Sequence, residues 1–328
     1  MNYIVGVDIG GTFTDCVAVD DAGNITIGKV LSTPPDFSLG AINAVADAAR
    51  NLGLGSEEEL LRSTGLFFHA CTIGDNTLIT RAGAKTGLLA TKGFGDTILM
   101  MRGKTTEGLT ESEAAHLSAL SKPDPIVPRR LIEEVNERID YKGSVLVKLD
   151  EKQAEQAIRK LAAKGVDSIA ISLLWAISNA LHENALADIL KKNHPGIFLS
   201  LSSEVAPFLG EYERTATTVF NAYVGPKISA YLTSLRRVLR DKALGGEPLI
   251  MQAYGGVLGI EATCKNAVGT IESGPAAGVV GSRFLGELIG ESNILATDMG
   301  GTTFKVSAVR DGIIEKDYAP VFMRYNIL

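Results

Sequence analysis

The sequence predicts an α/β fold, and three observations carry that prediction. Strand-like and helix-like segments alternate between residues 145 and 200, which is the pattern of an α/β sheet. The first thirty residues read instead as short β-runs separated by turns, as in an antiparallel meander. A strand–Gly-Gly-Thr–strand pattern then occurs twice, once from Val5 and again from Leu295, so the chain carries an internal repeat. With 328 residues, 45% of them hydrophobic, there is room for about two domains, each with its own core.

The elements follow in order. Strands are expected over residues 3–8, 15–20 and 25–31, with Asp21-Ala22-Gly23-Asn24 as the second turn. A helix over 41–52 would take Ser38 as N-cap and stop at Gly53. A strand over 66–69, a helix over 76–81 and a strand over 86–91 come next. Residues 103–128, with three prolines and many charges, read as a surface excursion. Strands over 145–149, 168–174 and 197–200 then alternate with helices over 151–163 and 179–192. A change of composition near Ser202-Ser203-Glu204 divides the chain into expected domains 1–201 and 202–328. Apolar residues at helical spacing over 214–244 predict either two helices or one kinked at Gly225-Pro226. A strand over 249–253, a helix over 274–289 and a strand over 293–297 complete the reading.

Composition excludes several functions. The formal net charge is −6, and no Lys/Arg block offers a footprint for nucleic acid. The start lacks a basic segment followed by an apolar one, and no apolar run of about 18 residues occurs. The expectation is therefore a cytoplasmic protein with neither a nucleic-acid nor a membrane partner. Cys16, Cys71 and Cys264 lie far apart and read as free thiols. His69, His116, His182 and His194 show no ligand spacing for zinc.

The repeat carries the chemistry. Placing Asp8 over Asp298 also superposes Gly10-Gly11-Thr12 on Gly300-Gly301-Thr302, Ala18-Val19 on Ala308-Val309, and Asp21 on Asp311. Paired glycines allow φ > 0 and leave N–H groups unshielded for phosphate oxygens. Thr12 and Thr302 add hydroxyl donors. Asp8 and Asp298 end the strands that feed these turns, where carboxylates can hold hydrated Mg²⁺ or orient a water. One Gly-Gly turn needs no ligand, since β-hairpins use such turns for their own geometry. Two copies at one offset favour a clamp on polyphosphate.

The duplicated hairpin resembles the phosphate loops of the actin, sugar-kinase and heat-shock-chaperone ATPases. The whole chain resembles the N-terminal half of the hydantoinase A/5-oxoprolinase family, which includes acetone and acetophenone carboxylase large subunits. The segments that carry this are 8–15, 76–96, 200–226, YGGVLG at 254–259, ESGPAAGV at 272–279 and DMGGTTFKV at 298–306. The resemblance implies a two-lobed actin-like ATPase fold, incomplete at its C-terminal end, that uses ATP and Mg²⁺. It assigns Gly10, Gly11, Thr12, Thr14, Asp15, Gly274, Gly300, Gly301, Thr302 and Thr303 to the nucleotide, with Asp8 and Asp298 as catalytic and metal residues. Many relatives carry Asp where this chain has Lys305, which could touch a phosphate or simply be solvated. The implied activity is phosphorylation of an amide oxygen for hydrolysis of a cyclic amide such as hydantoin or 5-oxoproline. The alternatives are a subunit of an acetone- or acetophenone-type carboxylase and a non-catalytic nucleotide-binding assembly subunit. A small-molecule substrate, a different, hydantoinase B-like subunit and homo-oligomerisation are the implied partners.

Other segments keep two readings. Asp15 reads as a phosphate-site or metal-shell residue before it reads as a turn carboxylate. Residues 272–278 precede a helix capped by Ser273 or Gly274 and could bind an anion there or pack closely through small side chains. Glu211–Thr215 reads as an ion-paired helix entry before it reads as catalytic. Tyr254-Gly255-Gly256 suggests a close turn. His69, Cys71, Thr72, Asp75 and Asn76 follow a strand, where a ligand-facing loop is expected.

Overall fold

A computed structural model of the chain describes residues 2–300, 304–317 and 320–327. The opening meander is β1 (Tyr3–Ile9), β2 (Phe13–Val19) and β3 (Ile25–Leu31), antiparallel throughout. Helix α1 (Phe37–Asn51) begins earlier than its apolar periodicity suggests, because Asp36 and not Ser38 is its N-cap: the Asp36 carboxylate accepts from the Ser38 N–H at 3.1 Å. Next come β4 (Thr64–Cys71), α2 (Ile73–Ile79), β5 (Thr86–Thr91) and β6 (Ile132–Val135). Then α3 (Glu151–Ala163), β7 (Ser168–Ser172), α4 (Leu181–Asn193) and β8 (Phe198–Leu201) keep the predicted alternation. A single helix, α5 (Glu211–Asp241), contains Pro226, so Gly225-Pro226 does not end it. Strands β9 (Leu249–Met251) and β10 (Val257–Gly259) precede α6 (Ser273–Ile289). Strands β11 (Ile294–Met299), β12 (Phe304–Arg310) and β13 (Ile313–Ile314) follow.

The chain forms two compact units, residues 1–82 with 227–316 and residues 83–226 with 317–328. These units interleave along the chain, whereas the division at 201/202 follows chain order.

In the first unit a six-stranded sheet runs β10-β9-β4-β1-β2-β3. The β1–β4 and β4–β9 pairs are parallel and the rest antiparallel. Alternation sends Val5, Val7 and Ile9 of β1 and Thr14, Cys16 and Ala18 of β2 to one face, where all six are between 0 and 3% exposed. Helix α1 covers that face with small residues, among them Ala41, Ala44 and Ala48. Its approach is so close that a Cβ on Gly28 would stand 2.4 Å from the Ala44 carbonyl oxygen and 2.5 Å from the Ala48 nitrogen. Both are backbone atoms, so no side chain can yield. Gly28→Ala is expected to cost about 1–3 kcal/mol, read as a lower urea midpoint with an unchanged slope.

The second unit holds an all-parallel sheet in the order β8-β7-β5-β6. Every residue of β5 and β7 is buried, as expected of strands covered on both faces. Helix α3 packs Ala154, Ala157, Ile158 and Leu161 inward, at helical spacing. Residues 103–128 contain short helical turns, including Glu111–Ala115 with a Thr110/Glu113 capping box.

The internal repeat is structural. In the first copy Ile4 pairs with Val19, and each step follows to Ile9 with Thr14. In the second, Ile294 pairs with Val309 and each step follows to Met299 with Phe304. Every pair is displaced by the same offset, so both hairpins share one register.

Candidate functional site

Asp8 and Asp15 are cross-strand partners, so their side chains leave the sheet together, on the face opposite Val7, Ile9 and Thr14. The same position in the second hairpin pairs Asp298 with Lys305. One hairpin therefore presents two carboxylates, the other a carboxylate and an ammonium.

These groups come within electrostatic reach of one another in the first unit. The Asp8 pKa is pushed up to about 6, first by desolvation, then by the charges of Asp15 and Asp298, with Lys305 opposing and Asp75 adding. Asp8 still keeps accessible surface. Among the described residues no hydrogen bond or ion pair closes on Asp8 or Asp298. Asp15 differs, holding the Lys29 ammonium at 2.5 Å, which makes it a paired strand residue and not a turn carboxylate.

The start of α6 lies against Asp8. A Cβ placed on Gly274 would meet Asp8 Oδ1 at 3.7 Å. The cap is Glu272, with φ +63°, and neither Ser273 nor Gly274 caps the helix. The Glu272 N–H donates to Asp75 Oδ1 at 3.0 Å, and the Glu272 carboxylate holds Lys305 Nζ at 2.5 Å. Lys305 is thus neither freely solvated nor isolated. It sits between Glu272 and the aspartates. Two buried oxygens here have no partner among the described residues, Asp75 Oδ2 and Ser273 Oγ.

The Gly10–Thr12 turn is braced from below. Gly10 N–H donates to the Phe13 carbonyl at 2.9 Å and Ser32 N–H to the Thr12 carbonyl at 2.9 Å. At Gly10 the need for glycine is close approach and not a positive φ: a Cβ would meet the Phe13 carbonyl oxygen at 3.0 Å. Gly11 and Thr12 are exposed, as is Gly300. Gly301, Thr302 and Thr303 lie outside the described residues.

Thr14 departs from the expected nucleotide contact. It is fully buried, its hydroxyl 3.0 Å from Ser32 Oγ, which donates to the Gly10 carbonyl at 2.7 Å. Strand alternation turns it toward α1, so it supports the turn from beneath. His69 and Cys71 do not lie in a loop either, because β4 runs on through both and buries them. His69 Nε2 lies 2.7 Å from the Tyr231 hydroxyl, and burial pushes its pKa down to about 4. Thr72 Oγ1 donates to the Ile9 carbonyl at 3.1 Å. Gly255, at φ +87°, makes the turn after β9, and Lys316 Nζ donates to the Tyr254 carbonyl at 3.0 Å. In the second unit Glu213 pairs with Arg102 at 2.8 Å, and buried Arg214 donates to the Leu173 and Phe208 carbonyls. That is the ion-paired helix entry.

Asp75, expected in a loop, lies in a helix and is tied to the start of α6. With α2 beginning at Ile73, Asp75 falls in its first turn, 3% exposed, with its pKa pushed up to about 6 by burial and then by Glu272. An unfolded carboxyl titrates near 3.8, so between about 4 and 6 the folded state holds the extra proton, and stability falls as pH rises through that window. Asp75→Asn keeps an acceptor for Glu272 N–H and removes this cost. It is expected to raise the unfolding free energy by up to roughly 3 kcal/mol above pH 6 and by nothing near pH 4. Urea unfolding at several pH values checks this, and a pH-independent difference would contradict it.

The donor set suits a hard, oxygen-seeking cation, since Mg²⁺ commonly takes one or two carboxylates and keeps its remaining waters. Asp8 and Asp298 have no described partner, and Asp8 is pushed up by the carboxylates around it, a repulsion that a bound cation relieves. Among the described residues no cluster of three or more His, Cys, Asp or Glu forms a metal cage.

Two family models cover nearly the whole chain: the hydantoinase/oxoprolinase N-terminal region over residues 4–194 and hydantoinase/oxoprolinase over 214–328. The chain belongs to the hydantoinase/oxoprolinase family. It is 35% identical to the acetophenone carboxylase gamma subunit of Aromatoleum aromaticum over 98% of this chain and 44% of that protein. A nucleotide-free structure of acetone carboxylase matches 99% of this chain and 46% of its own at TM-score 0.93 and 31% identity. The ATP-dependent caprolactamase of Pseudomonas jessenii matches 99% and 46% at TM-score 0.84 and 31% identity. The fold is thus the α/β, actin-like ATPase type expected for this family. The chain spans less than half the length of these relatives.

Proposed function

We propose that the two hairpins and the start of α6 hold the polyphosphate of ATP, and that the chain is the nucleotide-binding part of an enzyme that activates an amide or ketone oxygen. The observation that carries this reading is the electrostatic convergence of Asp8, Asp15, Asp298 and Lys305 from two hairpins of identical register. In this reading Asp8 and Asp298 hold Mg²⁺. The N–H groups around Gly10, Gly11, Thr12, Gly274 and Gly300 face phosphate, with Gly301, Thr302 and Thr303 as the second loop. Lys305 offsets negative charge, and Asp15 sets the Lys29 charge beside the first turn. When bound, Mg-ATP supplies an electrophilic phosphoryl group that turns a poorly reactive C–O oxygen into a leaving group. The chain's own residues contribute positioning and charge neutralisation.

Cyclic-amide hydrolysis, of the hydantoin or 5-oxoproline type, is the first reading of the substrate. Ketone carboxylation is the second, favoured by the 0.93 TM-score to acetone carboxylase and by 35% identity to an acetophenone carboxylase subunit. Relatives named as gamma, alpha and beta subunits support a different, hydantoinase B-like partner, with homo-oligomerisation and a cytoplasmic location as parts of the same proposal. No helix among the described residues is long and apolar enough to cross a membrane.

Calorimetry with Mg-ATP tests binding, and absence of any association removes the proposal. ATP breakdown is then compared with hydantoin, 5-oxoproline, caprolactam, and acetone plus bicarbonate. Stimulation by one class selects the branch. Tight binding with no stimulated turnover selects a non-catalytic assembly subunit.

A further inference from the structure

The ion pairs beside the two hairpins are built differently. In the first copy Asp15 is the cross-strand neighbour of Lys29 on β3 and holds its ammonium at 2.5 Å, so both ends of that pair lie on registered strands of one sheet. In the second copy the position of Asp15 is taken by Lys305, whose cross-strand neighbour is Asp298. Among the described residues no ion pair joins those two. The Lys305 ammonium lies 2.5 Å from Glu272 Oε2 instead. It is drawn to the start of α6, while its charge is still felt at Asp8 and Asp75.

Glu272 makes an unsettled helix cap. It is a non-glycine residue at φ +63°, a strained backbone for its type, and its side chain accepts no hydrogen bond from the α6 backbone. Its N–H is tied to Asp75 Oδ1 at 3.0 Å. A cap side chain ordinarily accepts from the first turn of its own helix, but this one is committed to Lys305. Beside it Ser273 Oγ and Asp75 Oδ2 are buried, on residues 1% and 3% exposed, with no partner among the described residues. Buried oxygens are rarely left unmet. Two of them flanking one strained residue mark a segment with a second arrangement to adopt.

We propose that the Lys305–Glu272 pair is an autoinhibitory clasp: without polyphosphate Glu272 keeps the Lys305 ammonium, and polyphosphate entering beside Asp8 takes that ammonium over and releases Glu272. The inference rests on the nucleotide reading above and adds how that site is regulated. The exchange asks little of the backbone. Strand β12 is held in register along β11, and a lysine carries its charge at the end of a flexible stem. One charge-assisted contact replaces another. The freed Glu272 carboxylate has water to turn to, its side chain being 39% exposed. Because the ligand must compete with Glu272, its apparent affinity is lowered by the fraction of molecules in which Lys305 is free.

Calorimetry with Mg-ATP on the full chain, on Glu272→Gln, on Lys305→Met and on the double variant tests the clasp. Glu272→Gln keeps the N–H that Asp75 holds, and is expected to bind roughly fivefold more tightly or better. Lys305→Met is expected to bind roughly tenfold more weakly or worse. The double variant should match Lys305→Met within about twofold, because the gain from removing Glu272 exists only while Lys305 is there to be released. Opposite signs at the two ends of one ion pair are the signature of exchange, since a fixed structural tie shifts binding the same way when either end is removed. Both single variants moving together would overturn the inference. So would an equal gain from Glu272→Gln with and without Lys305, which would reflect only the loss of a repelling charge. A parent chain that binds no Mg-ATP removes the nucleotide reading and the clasp together, whereas a binding parent with either of those two outcomes removes the clasp alone. Glu272→Ala and Lys305→Gln repeat the comparison with independent substitutions, and melting curves identify any variant that fails to fold.

Discussion

Asp8→Asn is expected to lower substrate-stimulated ATP turnover on the order of 100-fold or more while leaving the thermal midpoint at pH 7 unchanged or higher. The two readouts move apart for one physical reason. Asp8 is crowded, repelled by Asp15 and Asp298, and pushed up to about 6, so its charge opposes folding at neutral pH. An amide of the same shape removes that repulsion and takes away the proposed metal ligand. The variant needs no new space, since an amide is nearly the size and shape of the carboxylate it replaces. Asp298→Asn should follow it in turnover. Steady-state kinetics and a melting curve on the same preparation are the measurements. Activity within a few-fold of the parent would remove both aspartates from the metal shell, and a large loss of stability would mark Asp8 as structural.

Glu183→Ala is expected to destabilise the second unit by about 3–5 kcal/mol, the largest stability effect foreseen. The carboxylate is buried and accepts four hydrogen bonds: Leu173 N–H at 3.0 Å, Ser202 hydroxyl at 2.7 Å, Ser203 N–H at 2.9 Å and Ser203 hydroxyl at 2.7 Å. Burial raises its pKa, and these donors oppose the rise. They tie the segment after β7 to the start of the short helix that follows β8. Arg214 is buried nearby, its pKa lowered by desolvation and supported by Glu183. Truncation leaves donors and a buried charge without their counterpart, which costs more than the net value of the bonds. Glu183→Gln keeps one acceptor oxygen and should lose less. Denaturant unfolding followed by circular dichroism tests the order Glu, Gln, Ala. Equal stability of all three would show the network to be idle.

Much of the scaffold was legible because its signals are local. The Gly-Gly turns, the β-branched runs beside them and the helix-forming run at 151–163 each specify their own backbone. Where reading failed, the deciding feature was a backbone geometry or a tertiary contact that the residue pattern does not print. Asp36 displaced Ser38 as the cap because its carboxylate reached the Ser38 N–H first. Ser273 and Gly274 gave way to Glu272, whose N–H is held by Asp75, a residue of another helix. Thr14 looked like a phosphate ligand beside Asp15, and only the two-residue alternation under α1 sends one inward and the other outward. The strand at 257–259 is three residues long, too short to show a period. The interleaved units have no local signal at all.

By itself the sequence determined that a hairpin occurs twice, with aspartate at the same step of each copy, because spacing along a chain survives any fold. It also determined the family, since those motifs are spread over nearly the whole length. Only the tertiary structure decided that the charges of the second hairpin act on Asp8 of the first, that Lys305 meets Glu272, and that Asp75 lies in the first turn of α2 and accepts from the Glu272 N–H. Charges far apart in sequence acquire shifted pKa values only when packing removes water and brings them close, and no pattern of neighbours along the chain records that.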